Sequence, residues 1–190
     1  MRTQRPVIVG IGGTKRPGSS SEMTLRFTLN VAEGLGAQIE GFYGKDLLLP
    51  LFDPEEPLSD YGAERLVCSL RRADGIIVAS PGYHGSVSGP IKNAIDYVEL
   101  MKDDERPYFA GRAVGCIACA AGWQATGTTL VTLRAIVHAL RGWPTPLGVM
   151  VNTVAAPFSP DGRCRDPALS LQLCLLARQV YDFACRGACA

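Results

Sequence analysis

A short segment near the N-terminus concentrates the residue types that bind phosphate. Residues 12–21 contain three glycines, four hydroxyl residues and two cations. Glycines allow backbone N–H groups to turn toward an anion, and a helix that begins here would add its free N–H donors and its dipole. Arg16 can bind phosphate through two parallel hydrogen bonds. The segment therefore predicts an anion site.

Neither of the two commonest phosphate loops fits this segment. A Walker A loop needs Lys followed by Ser or Thr after its last glycine, and the dinucleotide loop needs G-x-G-x-x-G spacing. Both patterns are missing. The plain alternative is a turn with an ordinary helix cap, with Ser19 and Glu22 at the spacing of a capping box. A cap explains Ser19 but not Thr14, Arg16 and Ser21 together.

A second segment, residues 80–96, has the composition of a site for a flat ring. Tyr83 offers an aromatic wall, and Gly85 and Ser86 offer backbone N–H donors to the edge of a heteroaromatic ring. Donors at such an edge would stabilise negative charge that arrives with a hydride.

Both segments follow predicted strands. Short β-type runs alternate with longer runs of helical periodicity, which predicts an α/β fold with a five-stranded parallel sheet and helices on both faces. Ligands bind such sheets at the carboxyl ends of the strands. No linker divides the chain, so we expect one domain over residues 1–190. The predicted strands are 7–10, 38–43, 75–79, 113–118 and 147–151, and the predicted helices are 22–35, 60–72, 90 to about 100, 126–140 and 168–184.

The two segments resemble motifs of the NADPH-dependent FMN reductase family. Residues 81–96 resemble its Pro-x-Tyr-x-Gly-Ser and Gly-x-x-Lys-Asn-x-x-Asp signatures, and residues 13–21 are similar to its Gly-Ser-x-Arg-x-x-Ser-x-Asn phosphate loop. The resemblance implies a flavodoxin-like fold, bound FMN, NADPH or NADH as reductant, and a homodimer or homotetramer. It implies neither a catalytic side chain nor a metal ligand. The implied cofactor-binding residues are Gly13, Thr14, Arg16, Ser19, Ser20, Ser21, Pro81, Gly82, Tyr83, His84, Gly85, Ser86 and Gly122.

Four positions depart from the family pattern. Thr14 replaces serine and Ser21 replaces a common asparagine, and both keep a polar donor. Gly82 stands where glutamate is frequent, and His84 where asparagine is frequent. We therefore expect phosphate binding to persist in a changed ring environment.

Several other residues have two interpretations. In the loop after the fourth strand, Gly122 is predicted to allow close backbone approach, while Trp123 either shields the ring or covers a subunit interface. Lys92 and Asp96 form a surface ion pair, and the resemblance places their face near a subunit contact. Either Arg163 or Arg165 is a candidate for the 2′-phosphate of NADPH.

Cysteine and histidine usage argues against disulfides and metals. Seven cysteines, an odd number, favour a reducing cytoplasm over a secreted disulfide scaffold. Cys116 and Cys119 form C-x-x-C within and just after a strand, which favours core cysteines over a redox pair. His138 is expected to be an ordinary helical histidine. His84 is expected to contribute to the flavin site through its backbone and not through its imidazole.

The expected reaction is hydride transfer from NAD(P)H to FMN, with positioning as the main contribution of the protein. Reduced FMN then leaves to supply a partner monooxygenase or stays to reduce quinones or azo dyes. A flavodoxin-like electron carrier is a further alternative, although such carriers are typically strongly acidic. The net charge of +1 gives no electrostatic reason to expect nucleic-acid binding, and no apolar run is long enough to span a membrane.

Overall fold

The computed structural model describes residues 5–187, and its centre is one largely parallel sheet. The strands are β1 (Val7–Gly12), β2 (Gln38–Phe42), β3 (Gly75–Tyr83), β4 (Ser86–Val87), β5 (Ala113–Ala120), β6 (Trp143–Pro144) and β7 (Val149–Asn152). The helices are α1 (Ser20–Gly34), α2 (Tyr61–Arg72), α3 (Gly89–Asp96), α4 (Trp123–Ala139) and α5 (Pro167–Gly187). The prediction of an α/β fold with a parallel sheet is confirmed.

The strands run in the order β2-β1-β3-β5, with β6 and β7 both beside β5. This is the flavodoxin-like order, and the chain reverses its direction across the sheet between β1 and β3. The sheet has seven strands and not the predicted five. The fifth parallel position is divided, because β6 pairs with the start of β5 and β7 with its end. The remaining addition is the short antiparallel β4.

Helices cover both faces because the central strands are apolar on both sides. Ile8 and Ile77 pack with α1 and α5, whereas Val9 and Ile76 pack with α2, α3 and α4. Neighbouring residues in a strand point to opposite faces, so each central strand contributes to two cores.

The strand β3 continues four residues beyond its predicted end at residue 79. The predicted strand ends before Pro81, but Pro81 pairs with Cys119 of β5. The register between β1 and β3 ends at Ala79, so beyond that point β3 is paired with a parallel neighbour on one side only. A residue without an N–H can be accommodated at such an edge.

A tight hairpin follows β3. His84 and Gly85 have φ values of 51° and 81°, and Tyr83 pairs with Ser86. Two consecutive residues with positive φ define a type I′ turn, whose preferred sequence is Asn-Gly or Asp-Gly.

Helix boundaries differ from the predictions by a few residues. The third helix was predicted to reach about residue 100, but α3 ends at Asp96 and the chain continues as a 3-10 turn over Tyr97–Met101. Within residues 5–187, none of the helices combines the length and the apolar character needed to cross a membrane.

Candidate functional site

A cavity of about 400 Å³ lies where β1, β3 and β5 end. This volume is within the range of about 300–1,000 Å³ that is typical of small-molecule sites. The predicted residues that line it are Thr14, Arg16, Ser19, Ser20, Ser21, Pro81, Gly82 and Tyr83. The two segments with the expected chemistry therefore meet in one place.

The polar end of the cavity is a loop closed by its own hydroxyl groups. The N–H of Arg16 donates to Oγ1 of Thr14 at 3.1 Å. Ser19 is the N-cap of α1, and its Oγ accepts from the N–H of Glu22 at 3.3 Å. Ser19 and Ser21 are buried, while Arg16 is exposed at the rim. Hydroxyl groups at a helix N-terminus beside a cation form an anion-binding arrangement.

Gly13 belongs to this loop but does not line the cavity, because it packs against the first turn of α1. Its φ is 103°, and a Cβ atom there would lie 3.2 Å from Cβ of Glu22. The predicted capping box forms only in part. Ser19 caps Glu22 as expected, but the carboxylate of Glu22 accepts from the N–H of Gly18 at 3.2 Å, one residue before the N-cap.

The other end of the cavity is apolar and aromatic. Pro81 is buried, Gly82 is half-buried, and Tyr83 has 56% of its surface exposed at the rim. A Cβ atom on Gly82 would lie 2.5 Å from Oγ1 of Thr129, because α4 packs directly against this part of β3. That hydroxyl also donates to the carbonyl of Ser86 at 3.4 Å. Helix α4 thus supports both strands of the hairpin.

Sequence comparison identifies the family. The profile of the NADPH-dependent FMN reductases matches residues 6–156, which include both segments of the cavity. The chain belongs to this family.

Relatives of known function agree with the family, and solved structures agree with the fold. An NAD(P)H-dependent FMN reductase of Pseudomonas aeruginosa is 27% identical over 186 residues, covering 95% of this chain and 97% of the relative. An FMN-dependent NADPH-azoreductase of Staphylococcus aureus is 31% identical over 113 residues, which are 58% of this chain and 56% of the relative. Similar folds include the apo form of an NADH:FMN oxidoreductase, with a TM-score of 0.68, 20% identity, and coverage of 92% of this chain and 90% of that structure. The flavoenzyme NAD(P)H:(acceptor) oxidoreductase of Paracoccus denitrificans has a TM-score of 0.69 and 19% identity, covering 96% of this chain and 98% of that structure.

Five residues implied by the family resemblance lie outside the cavity lining. His84, Gly85 and Ser86 form the hairpin turn, and Gly13 lies behind the phosphate loop. Gly122 is the N-cap of α4, and a Cβ atom there would have no heavy atom within 4 Å. Among residues 5–187, no steric contact requires glycine at this position, although glycine is a better N-cap than most residues with larger apolar side chains.

The cavity also includes Cys119, Ala120, Ala121 and Thr153, none of which is among the predicted cofactor-binding residues. The first three follow from the position of β5 beside β3. Thr153 lies directly after β7, so the rule that ligands bind at the carboxyl ends of strands could have indicated it.

The C-x-x-C pair is structural. Cys116 and Cys119 are buried free thiols, which confirms the prediction of core cysteines. Burial raises the pKa of each thiol to about 12, so neither is a thiolate at neutral pH. His138 is exposed in the last turn of α4. Among residues 5–187, no cluster of side chains could hold a metal ion.

The remaining candidates lie at the surface. Lys92 and Asp96 form an ion pair on α3, with half or less of each side chain exposed. Arg163 pairs with Asp161 at 3.3 Å in a turn before α5. Trp123, with 61% of its surface exposed, borders a second cavity of about 230 Å³ that Met150 and Leu169 also line.

Proposed function

We propose that the cavity holds FMN with its phosphate on residues 14–21 and its ring against residues 81–83. The observation that carries this proposal is that one cavity has donors and a cation at one end and an aromatic, backbone-lined end opposite. FMN has the same polarity, with a dianionic phosphate at one end and a flat ring at the other. The hydroxyls of Thr14, Ser19 and Ser21 and the guanidinium of Arg16 would hold the phosphate.

The family activity is the reduction of FMN by NAD(P)H, for which bound FMN supplies the hydride acceptor. Among the described residues that line the cavity, none carries a carboxylate or an imidazole. The thiol of Cys119 is protonated at neutral pH because burial raises its pKa to about 12. The side chains of the cavity therefore position the reactants, and proximity and alignment provide the acceleration.

A second candidate function is that the protein retains FMN and passes electrons to a quinone or an azo dye. The similarity to the Staphylococcus aureus azoreductase favours this candidate, and it needs the same cavity. The two functions differ in whether reduced FMN leaves to supply a monooxygenase or stays bound. A flavodoxin-like electron carrier is the third candidate, and NAD(P)H oxidation distinguishes it from both others.

Assembly and location are also proposals. We place a subunit contact of a homodimer or homotetramer on the α3 face that carries Lys92 and Asp96, as the family resemblance suggests. We place the protein in the cytoplasm, a reducing compartment, which is supported by the six cysteines of the described chain, all of them free thiols.

The decisive experiment is to record the visible spectrum of the purified protein and then to add NADPH or NADH with and without free FMN. We expect FMN binding and oxidation of at least one nucleotide. Turnover that requires free FMN and yields free reduced FMN supports flavin reductase activity, whereas turnover of a quinone with bound FMN supports the second candidate. Absence of both binding and nucleotide oxidation would refute all three.

The phosphate assignment has its own test in Arg16→Ala. A hydrogen bond to a charged group contributes about 1.5–3 kcal/mol, so FMN affinity should fall by roughly ten- to one-hundred-fold. Lys15→Ala is the matched control, because Lys15 is the adjacent exposed cation and is not among the lining residues. Equal effects of the two substitutions would show general electrostatic attraction and not a specific contact.

A further inference from the structure

An acidic side chain lies directly behind the loop that we propose holds the FMN phosphate. Glu22 is in the first turn of α1, and only 9% of its side-chain surface is exposed. A buried carboxylate beside an anion site opposes anion binding through like-charge repulsion. Its presence there needs an explanation that a helix cap alone does not supply.

The contacts of Glu22 explain how it serves the loop. One carboxylate oxygen accepts from the N–H of Gly18 at 3.2 Å, and Gly18 has a φ of 69°. A Cβ atom added to Gly13, which also has a positive φ, would lie 3.2 Å from Cβ of Glu22, so the Glu22 side chain occupies the space beside Gly13. Glu22 therefore holds Gly18 through a hydrogen bond and fills the space beside Gly13, the two residues whose left-handed backbone conformations bend the loop.

The charge of Glu22 is balanced on the side away from the loop. Its second carboxylate oxygen accepts from Nε of Arg26 at 2.9 Å, one helical turn later. The guanidinium of Arg26 also donates to the hydroxyl of Tyr43 at 2.9 Å and lies 3.6 Å above the centre of that ring. Arg26 is thereby held from two sides, and it offsets the negative charge behind the phosphate site.

We propose that Glu22 is a positioning residue that holds the phosphate loop in its binding conformation and so sets the preference for FMN over riboflavin. The proposal rests on the proposed function, because it assumes that the phosphate occupies this loop. To hold the loop, Glu22 needs only its hydrogen-bond acceptor for the N–H of Gly18. Its negative charge disfavours phosphate binding, and the ion pair with Arg26 reduces this effect. Flavins without phosphate do not use the loop, so Glu22 should not affect their binding.

Two substitutions separate the acceptor from the charge. Glu22→Ala removes both, and we expect FMN affinity to fall about tenfold or more, as for the loss of a hydrogen bond to a charged group. Glu22→Gln keeps an acceptor oxygen and removes the charge, and FMN affinity should equal or exceed that of the unmodified protein. Riboflavin affinity should change less than twofold in both variants.

The matched control is Glu64→Gln. Glu64 is an exposed carboxylate in the first turn of α2 and does not line the cavity. FMN and riboflavin affinities are measured by flavin fluorescence titration, with thermal unfolding of every variant in parallel. Glu64→Gln should leave the ratio of the two affinities unchanged.

Each outcome has one meaning. A parallel loss of FMN and riboflavin affinity in Glu22→Ala would show general destabilisation and overturn the proposal. So would a Glu22→Gln variant that binds FMN as weakly as Glu22→Ala, or no effect in either variant. If the unmodified protein does not prefer FMN over riboflavin, the phosphate assignment itself is wrong. A preference for FMN that survives Glu22→Ala refutes only the role of Glu22.

Discussion

The close packing of α4 against β3 makes Gly82→Ala a sharp test of the structure. The added Cβ atom would lie 2.5 Å from Oγ1 of Thr129, about 1 Å closer than an ordinary contact. It would also lie 3.3 Å from Cβ of Ala120 and from the carbonyl oxygen of Ala125. Thr129 is fully buried, so either its side chain rotates and loses its hydrogen bond to Ser86, or the helix moves.

The expected cost follows from this geometry. Overpacking of a well-packed site costs about 1–3 kcal/mol, so the melting temperature should fall by on the order of 5 °C. Urea denaturation of apo-protein measures the free energy of unfolding. In a Thr129→Ala background the oxygen at 2.5 Å is gone, and Gly82→Ala should cost less than about 1 kcal/mol. A coupling energy of at least about 1 kcal/mol between the two substitutions is therefore expected.

Gly122→Ala provides the control for a glycine beside the same cavity region. Its Cβ atom would meet no heavy atom within 4 Å, and its φ of −156° suits any residue, so apo-stability should fall by no more than the roughly 1 kcal/mol by which alanine is a poorer N-cap than glycine. A neutral Gly82→Ala, or an undiminished cost in the Thr129→Ala background, would refute the described packing of α4. Weakened FMN binding by Gly122→Ala, with a loss of stability no larger than this capping term, would support the predicted close approach of the cofactor to this glycine.

Three further predictions concern a turn, a buried cation and the core thiols. His84→Asn should stabilise the type I′ hairpin by about 0.5 kcal/mol in urea denaturation, whereas His84→Val should destabilise it by about 1–2 kcal/mol, because a β-branched residue disfavours the positive φ of 51°. Arg112→Met should lower the free energy of unfolding by about 3–5 kcal/mol in urea denaturation, because the buried guanidinium donates to the carbonyls of residues 71, 73 and 108 at 2.8–3.0 Å and methionine leaves them unpaired. Arg112→Lys keeps the charge but has fewer donors, so its stability should lie between those of the unmodified protein and Arg112→Met. Burial raises the pKa values of Cys116 and Cys119 from 9.0 to about 12, so their contribution to stability is complete below pH 9 and is lost as the pH rises toward 12. Cys116→Ala should flatten the decline of the free energy of unfolding between pH 9 and 11, and an unchanged slope would contradict the burial argument.

The local features of the site were predictable because they depend on neighbours in the sequence. The loop at residues 12–21 lies between a β-branched run and a helical run, so its composition and its position at a helix N-terminus can be recognised together. The alternation of short β-type runs and longer helical runs indicated a sheet covered by helices on both faces, and the structure confirms this. The type I′ turn at His84 and Gly85 escaped notice because histidine is not the residue that usually indicates it.

The features that were missed depend on contacts between distant parts of the chain. Periodicity cannot reveal β6, since it has two residues and is defined only by its pairing with β5. Pro81 continues a strand because β1 has already ended beside it, a fact of register and not of local propensity. Thr153 joins the cavity only because β7 pairs with β5.

The amino-acid sequence by itself therefore determined the family, the sheet type and the two segments that carry the chemistry, because these are encoded in local composition and spacing. Only the tertiary structure decided how the segments are held. Residue 82 must be small because Thr129, 47 positions later, occupies the adjacent space. Arg26, which pairs with Glu22, is held by Tyr43, 17 residues later and directly after β2. Long-range packing sets these two contacts, of residue 82 with Thr129 and of Arg26 with Tyr43, and no single segment of the sequence contains both partners of either.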